Sequence, residues 1–275
     1  MKILLTGRSG QVGSELQAVL QPALATDHAG LDLADADAIR RVARELKPDV
    51  IVNAAAYTAV DKAESEPDLA MRVNGVAPGV LAEEAKRRSA LLVHYSTDYV
   101  FDGAKGSPYV EDDAPNPLST YGRTKLEGEQ RIRASGCRHL IVRTAWVYGR
   151  GSNFVRAILR QAEKGAPLRV VNDQLGAPTW AADIATVTAS LLTAQVEGSF
   201  HASAAGAASW YEVALEILRL AHLSAELRPV STAEYGAKAP RPRYSVLDNG
   251  KLRAAGIAPI GEWRARLAVH LKSAA

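Results

Sequence analysis

Ile3-Leu4-Leu5-Thr6-Gly7-Arg8-Ser9-Gly10-Gln11-Val12-Gly13, at the head of the chain, decides the fold. Lys2 to Thr6 is a short apolar run. Gln11 to Leu20 then carries Val12, Leu16, Val19 and Leu20 at helical spacing, and glycines three apart stand between the two. Glycines with that spacing arise by chance in many loops. Between a strand and a helix they let the backbone approach a pyrophosphate, and the unpaired N–H groups of the first helical turn point at it.

The alternation of strand and helix continues outward from this loop. Ala23 to Thr26 reads as a second strand, and Asp27, twenty residues after Gly7, falls where an acid meets an adenosine ribose. Arg8 and His28 would instead attract a 2′-phosphate, so NAD and NADP both stay open. Asp32-Leu33 opens a turn before a helix over Asp35 to Leu46, and Val50 to Asn53 is a third strand running into the small residues Ala54-Ala55-Ala56. Pro67 to Arg88 is helical but interrupted at its middle by Gly75, Pro78 and Gly79; Asn74 there satisfies a kink or belongs to a site. Leu91 to Tyr95 is a fourth strand, which delivers Ser96-Thr97-Asp98-Tyr99 at its C-terminal end, where ligands bind in open parallel sheets. A long loop, Phe101 to Leu118, leads into the next helix, and His139 to Arg143 is a fifth strand.

Beyond Gly149 the pattern loosens. It gives a helix over Asn153 to Lys164, a strand over Leu168 to Val171 and a rigid turn from Asp173 to Thr179. Helices over Ala181 to Thr193 and Ser209 to His222 flank a strand over Ser199 to Ala202. An extended basic segment from Ala239 to Ser245 and a helix from Glu262 to Leu271 close the chain. The expected fold is α/β: a Rossmann-type doubly wound parallel sheet with a smaller C-terminal substrate-binding region. Residues 1–150, plus roughly 165–198, form the NADP(H)-binding part; roughly 151–164 and 199–275 form the other.

Tyr121 and Lys125 lie four apart in Ser119 to Glu129, so a helix projects both from one face. A free phenol has a pKa of roughly 10, and lowering it to about 7 takes on the order of 4 kcal/mol. One unit charge about 4 Å away in a partly screened site supplies about that much. The pair is therefore a candidate proton donor and its tuner, in a chain whose other motifs already ask for a nucleotide.

Composition narrows the classes. The chain has 275 residues, enough for one large or two small domains, with an ordinary globular mixture of apolar and charged residues. A net charge of +3, with scattered Lys and Arg, gives no footprint for nucleic acid. Lys86-Arg87-Arg88 reads as the solvated C-terminal end of a helix, where cations suit the dipole. The single Cys137 excludes an intramolecular disulfide and fits a reducing compartment. No apolar run has the length of a membrane span, and the first residues read as a strand instead of a signal peptide. The expectation is a soluble cytoplasmic protein.

In order, the glycine loop, Asn53-Ala54-Ala55-Ala56, a Thr at the fourth strand end and Tyr121-x-x-x-Lys125 resemble the extended short-chain dehydrogenase/reductase superfamily. Finer motifs resemble one family in it, the dTDP-4-dehydrorhamnose reductases. These are Val52 to Glu64, Ser96-Thr97-Asp98-Tyr99-Val100-Phe101-Asp102-Gly103, Asn116-Pro117-Leu118 and Arg143 to Gly149. Asp173-Gln174, Gly176, Pro178-Thr179 and Arg241-Pro242 before Ser245 complete a match over nearly the whole chain.

The resemblance implies roles residue by residue. Gly7, Gly10, Gln11 and Val12 would hold the cofactor pyrophosphate, Asp32 and Leu33 would line the adenine, and Ala55, Ala56 and Thr58 would flank the cofactor. Thr97, Tyr121 and Lys125 would be catalytic, with Tyr121 and Lys125 also at the cofactor. Val60, Tyr99, Phe101, Trp146 and Arg241 would face the sugar nucleotide together with Thr97 and Tyr121. The family uses NADPH and often NADH. Some members dimerise around Mg²⁺ with a Glu at the position of Glu15. One carboxylate is not a metal site, so Glu15 is read as a solvated helix residue, and monomer and homodimer both stay open.

The implied reaction is reduction of the C4 ketone of dTDP-4-dehydro-L-rhamnose to dTDP-L-rhamnose. Two rivals are a sugar-nucleotide epimerase or dehydratase of the same superfamily, and a non-enzymatic regulatory subunit of methionine adenosyltransferase that shares the fold. A dehydratase would want an Asp-Glu pair after the active-site Thr, and only Asp98 follows Thr97. The intact set Thr97, Tyr121 and Lys125 argues against a regulatory subunit.

Overall fold

In the computed structural model, which describes residues 1–274, six short apolar segments pair into one parallel sheet. They are β1 (Ile3–Thr6), β2 (Leu24–Thr26), β3 (Val50–Asn53), β4 (Leu91–Thr97), β5 (His139–Thr144) and β6 (Gly198–His201). Their order across the sheet is β2-β1-β3-β4-β5-β6, a doubly wound arrangement whose direction of progression reverses between β1 and β3. Both faces are covered, which is why these strands read as unbroken apolar runs. Leu4, Ile51, Leu92 and Ile141 point to one face with Ile39, Leu81 and Ile132 of the helices packed on it. Leu5, Val52, Val93 and Val142 point to the other, against Leu16, Ile184 and Leu191.

The helices alternate with the strands as the periodicity requires: α1 (Gln11–Leu20), α2 (Ala36–Leu46), α3 (67–88), α4 (Thr120–Ser135), α5 (Phe154–Glu163), α6 (Ala181–Thr193) and α7 (Trp210–Ala221). The expected interruption in α3 takes a different form. Pro67–Met71, Arg72–Val76 and Ala77–Arg88 run on as a single helix, with the middle five residues wound as a π turn. Pro78 has no N–H for the Asn74 carbonyl four residues back, so the helix widens there instead of ending. Gly128 of α4 approaches that carbonyl closely: a Cβ on Gly128 would stand 2.3 Å from the Asn74 oxygen.

The C-terminal expectations need two corrections. The strand expected over Ser199 to Ala202, in the sugar-nucleotide region, is Gly198–His201, the sixth strand of the main sheet, paired to β5. The stretch from Asp173 to Thr179 is more than a turn. Leu175–Gly176 pairs antiparallel with Ala208–Ser209, and Thr179–Trp180 pairs with Val147–Tyr148. Strands this short carry no periodicity, so only their partners define them. Leu168–Val171 pairs with Leu227–Val230 in a separate two-stranded sheet. Among the described residues, no helix is long and apolar enough to cross a membrane.

Candidate active site

The first cleft opens where β1 and β3 end. Gly7 turns there with φ +79°, and a Cβ on it would meet the Ala55 amide nitrogen at 2.5 Å; a Cβ on Gly13 would meet the Gly7 carbonyl at 2.0 Å. Loop, helix and strand end are thus packed backbone to backbone, and Gly10 caps α1 without a side chain, leaving its first-turn amides to other acceptors. A cavity of about 420 Å³ beside Gly7 is lined by Asp27, Asp32, Leu33, Ala55 and Ala56. Arg8 Nε donates to Asp27 Oδ2 at its edge (3.0 Å), and that bond, with the Gly30 amide, holds the Asp27 carboxyl below its ordinary range. A carboxylate and a guanidinium therefore share one corner.

Three residues expected at this cleft contribute differently. The Gln11 amide donates to the Val147 carbonyl (3.2 Å), and Val12 packs against the core, so their backbone faces the loop while their side chains are engaged elsewhere. Thr58 is exposed, outside the cavity that Ala55 and Ala56 line. Asn74 resolves its two readings at once. It sits in the π turn, accepts from the Tyr57 amide (2.8 Å), and donates to the Tyr57 carbonyl (3.0 Å) and to Thr124 Oγ1 (3.2 Å), tying the Ala55–Tyr57 loop to α4.

Thr97, Tyr121 and Lys125 come together where β4 ends and α4 begins. Ser119 caps α4 by accepting from the Gly122 amide (3.1 Å), and Gly122 lets the first turn close onto the Tyr99 carbonyl, where a Cβ would stand 2.2 Å away. Thr97 Oγ1 accepts from the Tyr99 amide (3.1 Å) and donates to Asp98 Oδ1 (2.9 Å). Burial pushes the Tyr121 hydroxyl up to about 12; the Thr97 hydrogen bond pulls it down and the Asp98 charge pushes it up. Burial likewise lifts Asp98 to about 7, against hydrogen bonds from Ser245 and Thr97.

Lys125 is 2% exposed. Its Nζ donates to the Tyr95 carbonyl (2.6 Å) and lies 3.2 Å from His94 Nε2. The expected depression of Tyr121 by Lys125 is therefore missing from this arrangement. The ammonium is turned to a carbonyl on β4, and the phenol answers to burial, Thr97 and Asp98 instead.

A second cavity, of about 460 Å³, is lined by Asp61, Tyr99, Phe154, Trp210, Tyr235 and Arg241. Tyr99, which lines this cavity, meets the Tyr121 ring edge to face at 5.9 Å. Arg241 is held in it by a two-point pair with Asp61, Nη1 to Oδ1 at 3.1 Å and Nη2 to Oδ2 at 2.8 Å. Val60 is half-buried at the head of the short helix Val60–Ala63 that carries Asp61.

Two expectations on this side are corrected. Phe101 is fully buried, stacked on Tyr109 at 4.2 Å under the Arg143 guanidinium, and lines neither of these two cavities. Trp146, with φ 48°, lies over Gly176 and stacks on Trp210 at 3.5 Å, so Trp210 is the indole that lines the cavity. Sequence reasoning missed Trp210, Phe154 and Tyr235, which come from three elements far apart in the chain. Asp61 stood inside a recognised motif, but its pairing with Arg241 spans 180 residues. Glu15 faces Arg150 at 3.7 Å, and among the described residues no three His, Cys, Asp or Glu side chains converge on a metal position.

The model of the family described as the RmlD substrate binding domain matches residues 1–275. A dTDP-4-dehydrorhamnose reductase of Burkholderia thailandensis is 44% identical over 285 residues, covering 96% of each chain. The crystal structure of a dTDP-4-dehydrorhamnose reductase from Clostridium acetobutylicum superposes with a TM-score of 0.96 at 41% identity, covering 100% of this chain and 99% of that one. A dTDP-4-dehydrorhamnose reductase from Bacillus anthracis, solved in complex with NADP, gives a TM-score of 0.95 at 35% identity, covering 99% of this chain and 100% of that one.

Proposed function

Because the chain belongs to the RmlD substrate binding domain family, we propose that it reduces the C4 ketone of dTDP-4-dehydro-L-rhamnose with NADPH, giving dTDP-L-rhamnose. The observation that carries this reading is a cleft at Gly7 with no room for a side chain, together with a second cavity lined by Tyr99, whose ring meets that of Tyr121. The first cavity fits a dinucleotide: the Gly7 and Gly13 positions have no room for a side chain, and the α1 amides are uncapped beside them. The backbone of Gly7, Gly10, Gln11 and Val12 would hold the pyrophosphate. Asp32 and Leu33 would lie at the adenine, Ala55 and Ala56 along the cofactor, and Lys125 at the nicotinamide ribose. Arg8 beside Asp27 suits a 2′-phosphate, as in the relative solved with NADP, and Asp27 suits a free ribose, so the corner leaves room for NADH beside NADPH.

When bound, the reduced nicotinamide supplies the hydride that the ketone carbon accepts. Negative charge grows on the ketone oxygen during that transfer, and donors aimed at it lower the barrier. Tyr121, neutral because burial raises its pKa, gives its proton to that oxygen, and Thr97 would turn its one hydroxyl proton from Asp98 to donate beside it. Arg241 would meet the substrate pyrophosphate, with Tyr99 and Val60 at the sugar. The division of the chain is proposed with it: residues 1–150 and roughly 165–198 for the cofactor, roughly 151–164 and the chain after β6 for the sugar nucleotide. The single Cys137, free and buried, supports the cytoplasm as the place of action.

The test is direct. The purified chain, given dTDP-4-dehydro-L-rhamnose, should consume NADPH stoichiometrically; turnover without added reductant would point to an epimerase or dehydratase, and no consumption to a non-catalytic subunit. Arg241→Ala should raise the KM for the ketosugar about tenfold or more, the scale of a lost charge-assisted contact to phosphate, and leave the KM for NADPH unchanged. Steady-state kinetics in each substrate separates the two, and an unmoved ketosugar KM would remove Arg241 from the site.

A further inference from the structure

Behind Lys125 runs a buried chain of polar side chains that the mechanism above leaves unused. Thr6 Oγ1, at the end of β1, donates to Asn53 Oδ1 at the end of β3 (2.7 Å). A hydroxyl can serve either end of an amide; with Oδ1 on Thr6, the Nδ2 faces His94 Nδ1 on β4 at 3.0 Å. An amide nitrogen only donates, so Nδ1 accepts, and a neutral imidazole then carries its proton on Nε2. That Nε2 lies 3.2 Å from Lys125 Nζ, whose other partner is the Tyr95 carbonyl at 2.6 Å. Thr6, Asn53 and His94 are each 1% exposed.

Two donors cannot share one hydrogen bond. An ammonium on Lys125 would point N–H at N–H, whereas a free amine donates to Tyr95 and accepts from His94. Charging His94 instead is disfavoured, because burial and then the Lys125 charge hold it well below its ordinary range. Burial brings Lys125 down to about 8, with Glu129 pulling the other way. The charged and titratable groups around Lys125 are His94 on β4, and Tyr121 and Glu129 on its own helix; Glu129 is already engaged by Arg143 of β5.

We infer that His94, oriented by Thr6 and Asn53, is a positioning residue that loosens the hold of Lys125 on its proton, making the lysine charge switchable instead of fixed. The catalytic consequence rests on the reductase reading; the imidazole tautomer does not. ¹⁵N-histidine NMR of the full chain reads that tautomer, with His94 assigned among the six histidines by comparison with His94→Gln. Between about pH 7 and 9 the expected form is Nε2–H; Nδ1–H overturns the inference.

Asn53→Asp places an acceptor against Nδ1, draws the proton there and turns the Nε2 lone pair to the ammonium. The alkaline limb of kcat/KM for the ketosugar, at saturating NADPH, should then move up by about one pH unit. In Asn53→Asp/His94→Gln the shift should vanish. A limb that stays put in the single variant, or moves as far in the double, also overturns the inference, the latter because carboxylate charge alone would explain it. If Asn53→Asp fails to fold, the wild-type spectrum decides by itself. A chain that reduces no ketosugar removes the reductase reading, and the spectrum still judges His94.

Discussion

Tyr121→Phe should lower turnover by a hundredfold or more in order of magnitude, with NADPH binding nearly intact. The substitution deletes one oxygen and keeps the ring, so the edge-to-face contact with Tyr99 at 5.9 Å survives and α4 has no reason to move. What is lost is the proton that must reach the ketone oxygen as hydride attacks. A hundredfold loss corresponds to about 2.7 kcal/mol of transition-state stabilisation, within the range of a positioned general acid. With burial holding the hydroxyl at about 12, Tyr121 stays protonated through neutral and mildly alkaline pH, so the acid form is present without help from Lys125. Single-turnover kinetics with the ketosugar, beside a fluorescence titration with NADPH, checks both halves. A Phe variant within a few-fold of wild type would end the assignment.

The largest expected loss of stability lies one helical turn beyond Lys125. Arg143 Nε donates to Glu129 Oε1 (2.9 Å) and Nη2 to Oε2 (2.7 Å), with side chains 2% and 0% exposed. Arg143 also donates to the Glu111 carbonyl (3.2 Å) and lies over the Phe101 ring. Glu129→Gln removes the carboxylate and leaves the guanidinium buried, a change that typically costs about 3–5 kcal/mol. That is a large share of a net stability of about 5–15 kcal/mol, so the denaturation midpoint should fall sharply. Burial alone would raise the Glu129 carboxyl; the Arg143 bonds and charge, with Ser96 and Arg133, bring it below its ordinary range. A depressed carboxylate contributes stability above its unfolded pKa, and the contribution is lost as pH falls through the folded value. The gap between wild type and variant should therefore be widest near neutral pH and narrow in acid. Denaturant titrations at both pH values test it; a Gln variant as stable as wild type at neutral pH would show that the pair contributes nothing.

The strand–glycine–helix start, the alternation that follows it and the Tyr121–Lys125 spacing were all legible locally, because each is set by periodicity or by turn chemistry within a few residues. That Thr97 and Tyr99 stand at the C-terminal end of a strand was readable for the same reason. Phe101 was misplaced because a residue two positions further on belongs to a different packing environment, under Arg143 and beside Tyr109. Trp146 and Trp210 exchanged places at the cavity because a stack between residues 64 positions apart leaves no local trace. Asn74 could not be assigned until the π turn showed that one amide serves both the helix and the Ala55–Tyr57 loop.

By itself the sequence determined the class of fold, the strand–glycine–helix start and the family, since those depend on the order of residue types along the chain. Only the tertiary structure decided that Gly198–His201 joins the main sheet, that Arg241 answers to Asp61, and that Lys125 turns to Tyr95 and His94 instead of Tyr121. The physical reason is common to all three. Hydrogen bonds and charges act over a few ångströms, and folding alone brings together groups that the chain keeps tens to hundreds of residues apart.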